Sequence, residues 1–218
     1  MSRPILYSFR RCPYAMRARL ALEASGIDVE LREIFFRDKA PEFLETSPKG
    51  TVPVLVSDNG LFLEESLDII RWSMETSKAG KLLEPDGGST DKAIALIERM
   101  DADFKPHLDK YKYASRYEDV DGVVSRSQGS TFINELEDML SSQPYLYGQK
   151  RSVADIGVAP FVRQFAHVDQ DWFYAQDWKN VITWLDAFKA SPEFLRIMKK
   201  YPKWIADDDV IIFPPKID

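Results

Sequence analysis

The sequence predicts an α/β domain followed by an all-α domain, and three observations carry that reading. Over residues 1–76 short apolar runs alternate with helical patterns, residues 77–89 hold Gly80, Pro85, Gly87 and Gly88, and beyond them strand signals largely stop. At 218 residues and 44% hydrophobic, the chain is long enough to build two cores.

Each element has a local cause. Pro4 to Ser8 is an apolar run and reads as a strand. Pro13 to Ser25 reads as a helix, with proline in the first turn, where a missing N–H costs nothing, and Gly26 at C′. Asp28 to Ile34 alternates polar and apolar residues and reads as a second strand. Pro41 to Glu45 is a short helix, and Val52 to Val56 a third strand. Asp58-Asn59-Gly60 signals a hairpin turn into a fourth strand at Leu61 to Leu63. Ser66 opens a further helix that buries Leu67, Ile69, Ile70 and Met74. The order βαβ-ββα is the thioredoxin-type arrangement. After the linker, Thr90 to Lys112, Ser125 to Leu140, Val153 to Val168, Trp178 to Ala190 and Ser191 to Tyr201 read as helices, making 90–218 an all-helical domain. The apolar tail Val210 to Pro215 is expected either to pack on the body or to cover a site.

Composition narrows the function. A formal net charge of -6 without a long basic run argues against nucleic acid as a partner. The absence of about 18 consecutive apolar residues argues against a membrane span. No apolar leader with a small-residue cleavage site opens the chain, so a cytoplasmic location is expected. The single cysteine excludes an intramolecular disulfide framework and suits a reducing compartment. With only His107 and His167 beside it, no metal-ligand spacing is present, and both histidines read as helix or surface residues.

That cysteine, Cys12, lies between the first strand and the first helix. Unpaired N–H groups at a helix N-terminus favour a thiolate, and Arg10, Arg11, Arg17 and Arg19 add positive charge nearby. A lone cysteine is otherwise a small hydrophobe; here its setting points to a nucleophile. Pro53 interrupts a strand pattern, which implies either an edge strand or a cis Val52-Pro53 bond presenting the Val52 backbone to an extended peptide. Glu64-Glu65-Ser66 precedes a helix. Ser66 reads as its N-cap; alternatively the helix start binds a carboxylate while a glutamate pairs with an ammonium group.

Together, Cys12 in Cys-Pro-Tyr-Ala, Thr51-Val52-Pro53-Val54-Leu55 and Glu65-Ser66 resemble the glutathione site of the cytosolic glutathione transferases. The resemblance is to Cys-type members: the omega, dehydroascorbate reductase and chloride-channel-like groups and their bacterial relatives. Ser152-Val153-Ala154-Asp155 resembles the family's structural N-capping motif. The resemblance implies glutathione as co-substrate and no metal. It makes Cys12 the nucleophile, with Tyr14 lining the thiol pocket. Val52, beside cis-Pro53, pairs with the cysteinyl backbone, Glu65 and Ser66 hold the γ-glutamyl end, and Lys39, with Arg37 as its rival, holds the glycine carboxylate.

The activity implied is a monothiol, glutathione-dependent thiol transferase or reductase. Its partners are glutathione and a small thiol, disulfide or electrophilic acceptor such as dehydroascorbate. Ala15 stands where a dithiol glutaredoxin has its second cysteine, so a second glutathione must resolve the mixed disulfide. The alternatives are a glutathione-conjugating transferase and a non-enzymatic binding protein on the same fold. The helical domain is expected to form the acceptor side through residues 99–113, with Trp172, Phe173 and Trp204 as further wall residues. Homodimers and monomers both occur among such relatives.

Overall fold

The computed structural model of the chain describes residues 3–57 and 59–215. The first half contains β1 (Ile5–Ser8), α1 (Pro13–Ala24), β2 (Val29–Glu33), α2 (Pro41–Thr46), β3 (Val54–Val56), β4 (Phe62–Leu63) and α3 (Ser66–Thr76). There follow α4 (Thr90–Arg99), α5 (Lys105–Lys112), α6 (Gly122–Met139), α7 (Val153–Ala166), α8 (Gln170–Tyr174), α9 (Lys179–Ala190), α10 (Pro192–Ile197) and β5 (Ile212–Phe213). The chain forms two compact units, one running to Leu83 and resuming at Ser191, the other spanning Glu84–Ala190.

Unit 1 is the thioredoxin-like domain. Its sheet has the order β4-β3-β1-β2-β5, with β1 parallel to β2 and the other pairs antiparallel. Tyr7, Ala15, Ile34, Phe43, Val52 and Val54 form a buried cluster against which Cys12 packs. Asp58 of the expected hairpin turn lies outside the described residues.

The alternation of β2 buries Val29, Leu31 and Glu33 on one face. A buried carboxylate in such a row needs a partner, and α1 supplies it. Arg19, fully buried, ion-pairs with Glu33 through Nη2, donates from Nε to Ser8 Oγ at 2.8 Å, and donates from Nη1 to the Ile197 carbonyl at 3.0 Å. The Arg10 N–H adds a 2.7 Å bond to Glu33. Burial lowers the Arg19 pKa, and Glu33 opposes that effect.

Three expectations need correction. The span 90–218 is not all helical: its last part returns to unit 1, where Ile212 and Phe213 pair with Glu30 and Val29 and complete the sheet. The tail thus covers the β2 edge, an exposed row of backbone groups that must otherwise find partners. Arg196 pairs with Glu23 on α1, and Trp204 N–H donates to the Glu33 carbonyl at 2.9 Å. Second, the helix expected over Thr90 to Lys112 is interrupted by a π-helical turn at Met100–Phe104, in which the Lys105 N–H reaches the Met100 carbonyl. Pro106 explains the break, since it lacks an N–H and its ring crowds the carbonyl four residues earlier. Third, the linker is partly ordered as a 3-10 helix, Lys78–Leu83.

Unit 2 is helical. In it α5 packs on α6, α4 on α7, and α9 on both α6 and α7. Asp155 closes the start of α7 in a capping box: its carboxylate accepts from the Ser152 N–H at 2.8 Å, the Ser152 hydroxyl at 3.0 Å, the Leu146 N–H at 3.0 Å and Trp184 Nε1 at 2.9 Å. Burial pushes the Asp155 pKa up while these donors pull it down.

Candidate functional site

Cys12 is the N-cap residue of α1, in extended backbone with φ -79° and ψ 122°. Its N–H donates to the Phe9 carbonyl at 3.0 Å, and its own carbonyl accepts from Met16 at 2.9 Å. Pro13 occupies the first turn; no side chain caps the helix start, and no acidic residue lies in the first turn. The local positive field of the helix is therefore left for the thiol rather than spent on a carboxylate. The half-buried thiol donates to the Val52 carbonyl with a sulfur–oxygen distance of 3.7 Å. Val52 is buried, and the Val52-Pro53 bond is cis. Pro53 directly precedes β3, which lies between β1 and β4, so the edge-strand alternative does not apply.

Two of the four arginines expected around the thiol have other commitments. Arg19 serves Glu33, and the buried Arg17 donates from Nε to Ser66 Oγ at 2.9 Å. Arg11 lies over the Phe9 ring at 5.3 Å. The Arg17 guanidinium also lies 4.9 Å from the centre of the Tyr14 ring. Arg17 thus joins two predicted site residues from different helices, Tyr14 on α1 and Ser66 on α3. Sequence reasoning missed this role; the available signal was a charged residue within a helix of otherwise mostly apolar and small residues.

Ser66 is the first residue of α3 and not its cap; Glu65 takes the N-cap position without a capping side-chain bond. Local propensity favours serine as a cap, but here the serine hydroxyl is turned to the buried Arg17. Glu65 is exposed and its Oε1 is 2.6 Å from Lys49 Nζ, a bond that raises the Lys49 pKa. Glu64 accepts from the Ser47 hydroxyl. Lys49 is the second residue that sequence reasoning missed.

Lys39 is half-buried and lies beside Gly50, whose φ is +61°; a Cβ there would come within 3.2 Å of Lys39 Nζ. Arg37 is exposed in the tight turn bridged by Phe35 and Asp38. Of the expected acceptor-wall residues, Trp204 belongs to unit 1, edge-on to Tyr7 and 4.3 Å beneath the Arg32 guanidinium. Phe173 is core in unit 2. Trp172 lines a cavity of about 580 Å³ within unit 2, together with Arg126, Asn134 and Trp178.

Unit 1 thus sets a cysteine at an uncapped helix start on a thioredoxin-like fold, in a chain that also builds a helical unit. Residues 6–81 match the family model for the glutathione S-transferase N-terminal domain, and residues 125–206 that for its C-terminal domain. The chain belongs to the glutathione S-transferase family. It is 30% identical over 169 residues to the maleylacetoacetate isomerase of Rattus norvegicus, covering 73% of this chain and 77% of the relative. It is 26% identical over 158 residues to glutathione S-transferase omega-1 of Sus scrofa, covering 72% of this chain and 64% of that relative's length. Among solved structures, a Burkholderia graminis glutathione transferase with two glutathione molecules bound per subunit has a TM-score of 0.76 at 25% identity, covering 90% of this chain and 88% of that one.

Proposed function

We propose that this protein is a monothiol, glutathione-dependent thiol transferase. The observation that carries the reading is the placement of the chain's one thiol at an uncapped helix start, in contact with the Val52 backbone. In the first step the Cys12 thiolate attacks the glutathionyl sulfur of a mixed disulfide. A Cys12–glutathione disulfide forms, the substrate S–S bond breaks, and the substrate leaves as a thiolate that takes a proton from solvent. In the second step a glutathione thiolate attacks the glutathionyl sulfur. Oxidised glutathione forms and the Cys12 thiolate is released. The chain contains no second cysteine, so the resolving thiol comes from outside.

In this reading the Val52 backbone pairs with the cysteinyl part of glutathione and Tyr14 borders the sulfur. Ser66 and the α3 start take the γ-glutamyl carboxylate, Glu65 its ammonium group, and Lys39 the glycine carboxylate. The Burkholderia graminis relative, with its two bound glutathione molecules, accords with a cycle that uses two. A reducing cytoplasm is the setting in which such a cycle runs.

The test is intact mass after incubation with oxidised glutathione, followed by reduced glutathione. One glutathione adduct on Cys12, removed by the reduced form, is the expected result. An adduct-free protein with an alkylatable thiol overturns the reading. Conjugation of an aryl halide to glutathione that survives Cys12→Ala would instead favour a conjugating transferase.

A further inference from the structure

Both glutamates ahead of α3 are held by one loop: the Ser47 hydroxyl donates to Glu64, and the Lys49 ammonium sits 2.6 Å from Glu65 Oε1. We infer that Lys49 is an internal stand-in for the α-ammonium group of glutathione, so that the ligand binds by exchanging one ammonium for another at Glu65. This rests on the reading that Glu65 takes the γ-glutamyl ammonium, and it adds a residue that tunes the affinity of that site.

The chemistry of the two occupants is the same: a primary ammonium donating to a carboxylate oxygen. The exchange is cheap because the pair is open to water, with side-chain exposures of 52% for Lys49 and 64% for Glu65. Exposed pairs of this kind contribute little to stability. Lys49 can leave without taking the loop along, because Ser47 stays on Glu64 and Gly50 keeps its turn at φ +61°. Lys39 is a poor substitute for this role: its Nζ lies 5.7 Å from the Phe36 ring centre and beside Gly50. The Glu65 bond raises the Lys49 pKa above its ordinary value.

The sign of the effect distinguishes this exchange from general electrostatics. Glutathione carries net negative charge at neutral pH, so deleting a nearby lysine should weaken its binding by loss of attraction. Exchange predicts the opposite.

The experiment is calorimetric titration of the full chain with S-methylglutathione and with its N-acetylated form, which lacks the ammonium. Wild type, Lys49→Met, Glu65→Gln and the double variant are compared at low salt. Lys49→Met is expected to tighten S-methylglutathione by about 1.4- to 5-fold, the range for an exposed ion pair, and to leave the N-acetylated ligand without that gain. In the Glu65→Gln background the gain should vanish. Weaker or unchanged binding by Lys49→Met, or equal tightening of both ligands, overturns the exchange while leaving the thiol-transfer reading intact. Unchanged binding by Glu65→Gln shows instead that Glu65 is not the ammonium site, and both the assignment and the exchange fall.

Discussion

The two helix starts at the candidate site in unit 1 differ from four helix starts in unit 2. In unit 2 each of α4, α6, α7 and α8 is closed by a side chain: Ser89, Asp121, the Ser152–Asp155 box and Asp169. In unit 1 α1 and α3 begin at Cys12 and Glu65 without a capping side-chain bond. Orphan N–H groups at a helix start are a cost when nothing meets them. They are also a ready site for an anion. These four starts in unit 2 turn their N–H groups into stability, as does α10 in unit 1, where Ser191 Oγ accepts from the Phe194 N–H at 3.2 Å. Unit 1 leaves the two nearest the candidate site open, and secures itself through the buried Arg19–Glu33 pair.

Arg19→Met should have the largest effect on unit 1. It strands Glu33 in the interior, and breaking a buried pair from one side costs about 3–5 kcal/mol. Denaturant unfolding should show a loss of that size; a loss below about 1 kcal/mol would mean that unit 1 is held elsewhere. Asp155→Ala should come next, at about 1.5–3 kcal/mol, the worth of hydrogen bonds to a charged group. It should leave the glutathione adduct on Cys12 unchanged in mass and yield wherever the protein stays folded. Cys12→Ser is smaller and opposite in sign. It places a good cap on α1, with an expected gain of about 0.5–1 kcal/mol, while abolishing the adduct; a loss of stability would show that sulfur packing outweighs capping at this position.

The smallest effect concerns the far end of α7, where His167 is the C-cap residue. A helix C-terminus favours the charged imidazole. Partial burial, Arg163, Lys189 and Lys112 act the other way and lower the His167 pKa below 6.5. With the folded value below the unfolded one, the neutral ring contributes stability above about pH 6.5, and that contribution is lost as pH falls through the folded value. Despite that partial burial the residue as a whole stays open to solvent, so the slope is shallow. NMR titration should give a value below 6.5; one above it would mean that the helix dipole dominates.

Much of the fold was legible in short-range signals, most of them within residues 1–76. The periodicities of β1, α1, β2 and α3, the positive-φ Gly26 after α1 and the Ser152–Asp155 box are short-range signals, and each appears in the fold. The family resemblance rested on similarly local motifs around Cys12, Pro53 and Glu65. The missed contacts of the buried arginines involve partners distant in sequence. Arg17 and Ser66 are 49 residues apart, and Arg19 and Ile197 178 apart. A charged residue in a helix carries no mark of which buried acceptor it will meet.

The sequence alone specified a thioredoxin-type part followed by helices, the order of elements over residues 1–76 and the position of the thiol at a helix start. Those follow from hydrophobic period, proline and glycine placement, and caps, all of which act within a few residues. Only the folded chain shows that Ile212 and Phe213 complete the sheet, that Glu65 rather than Ser66 stands at the N-cap position of α3, and that Arg17 and Lys49 hold site residues. Buried charges and open sheet edges must find partners, and which partners they find depends on the folded arrangement of the whole unit.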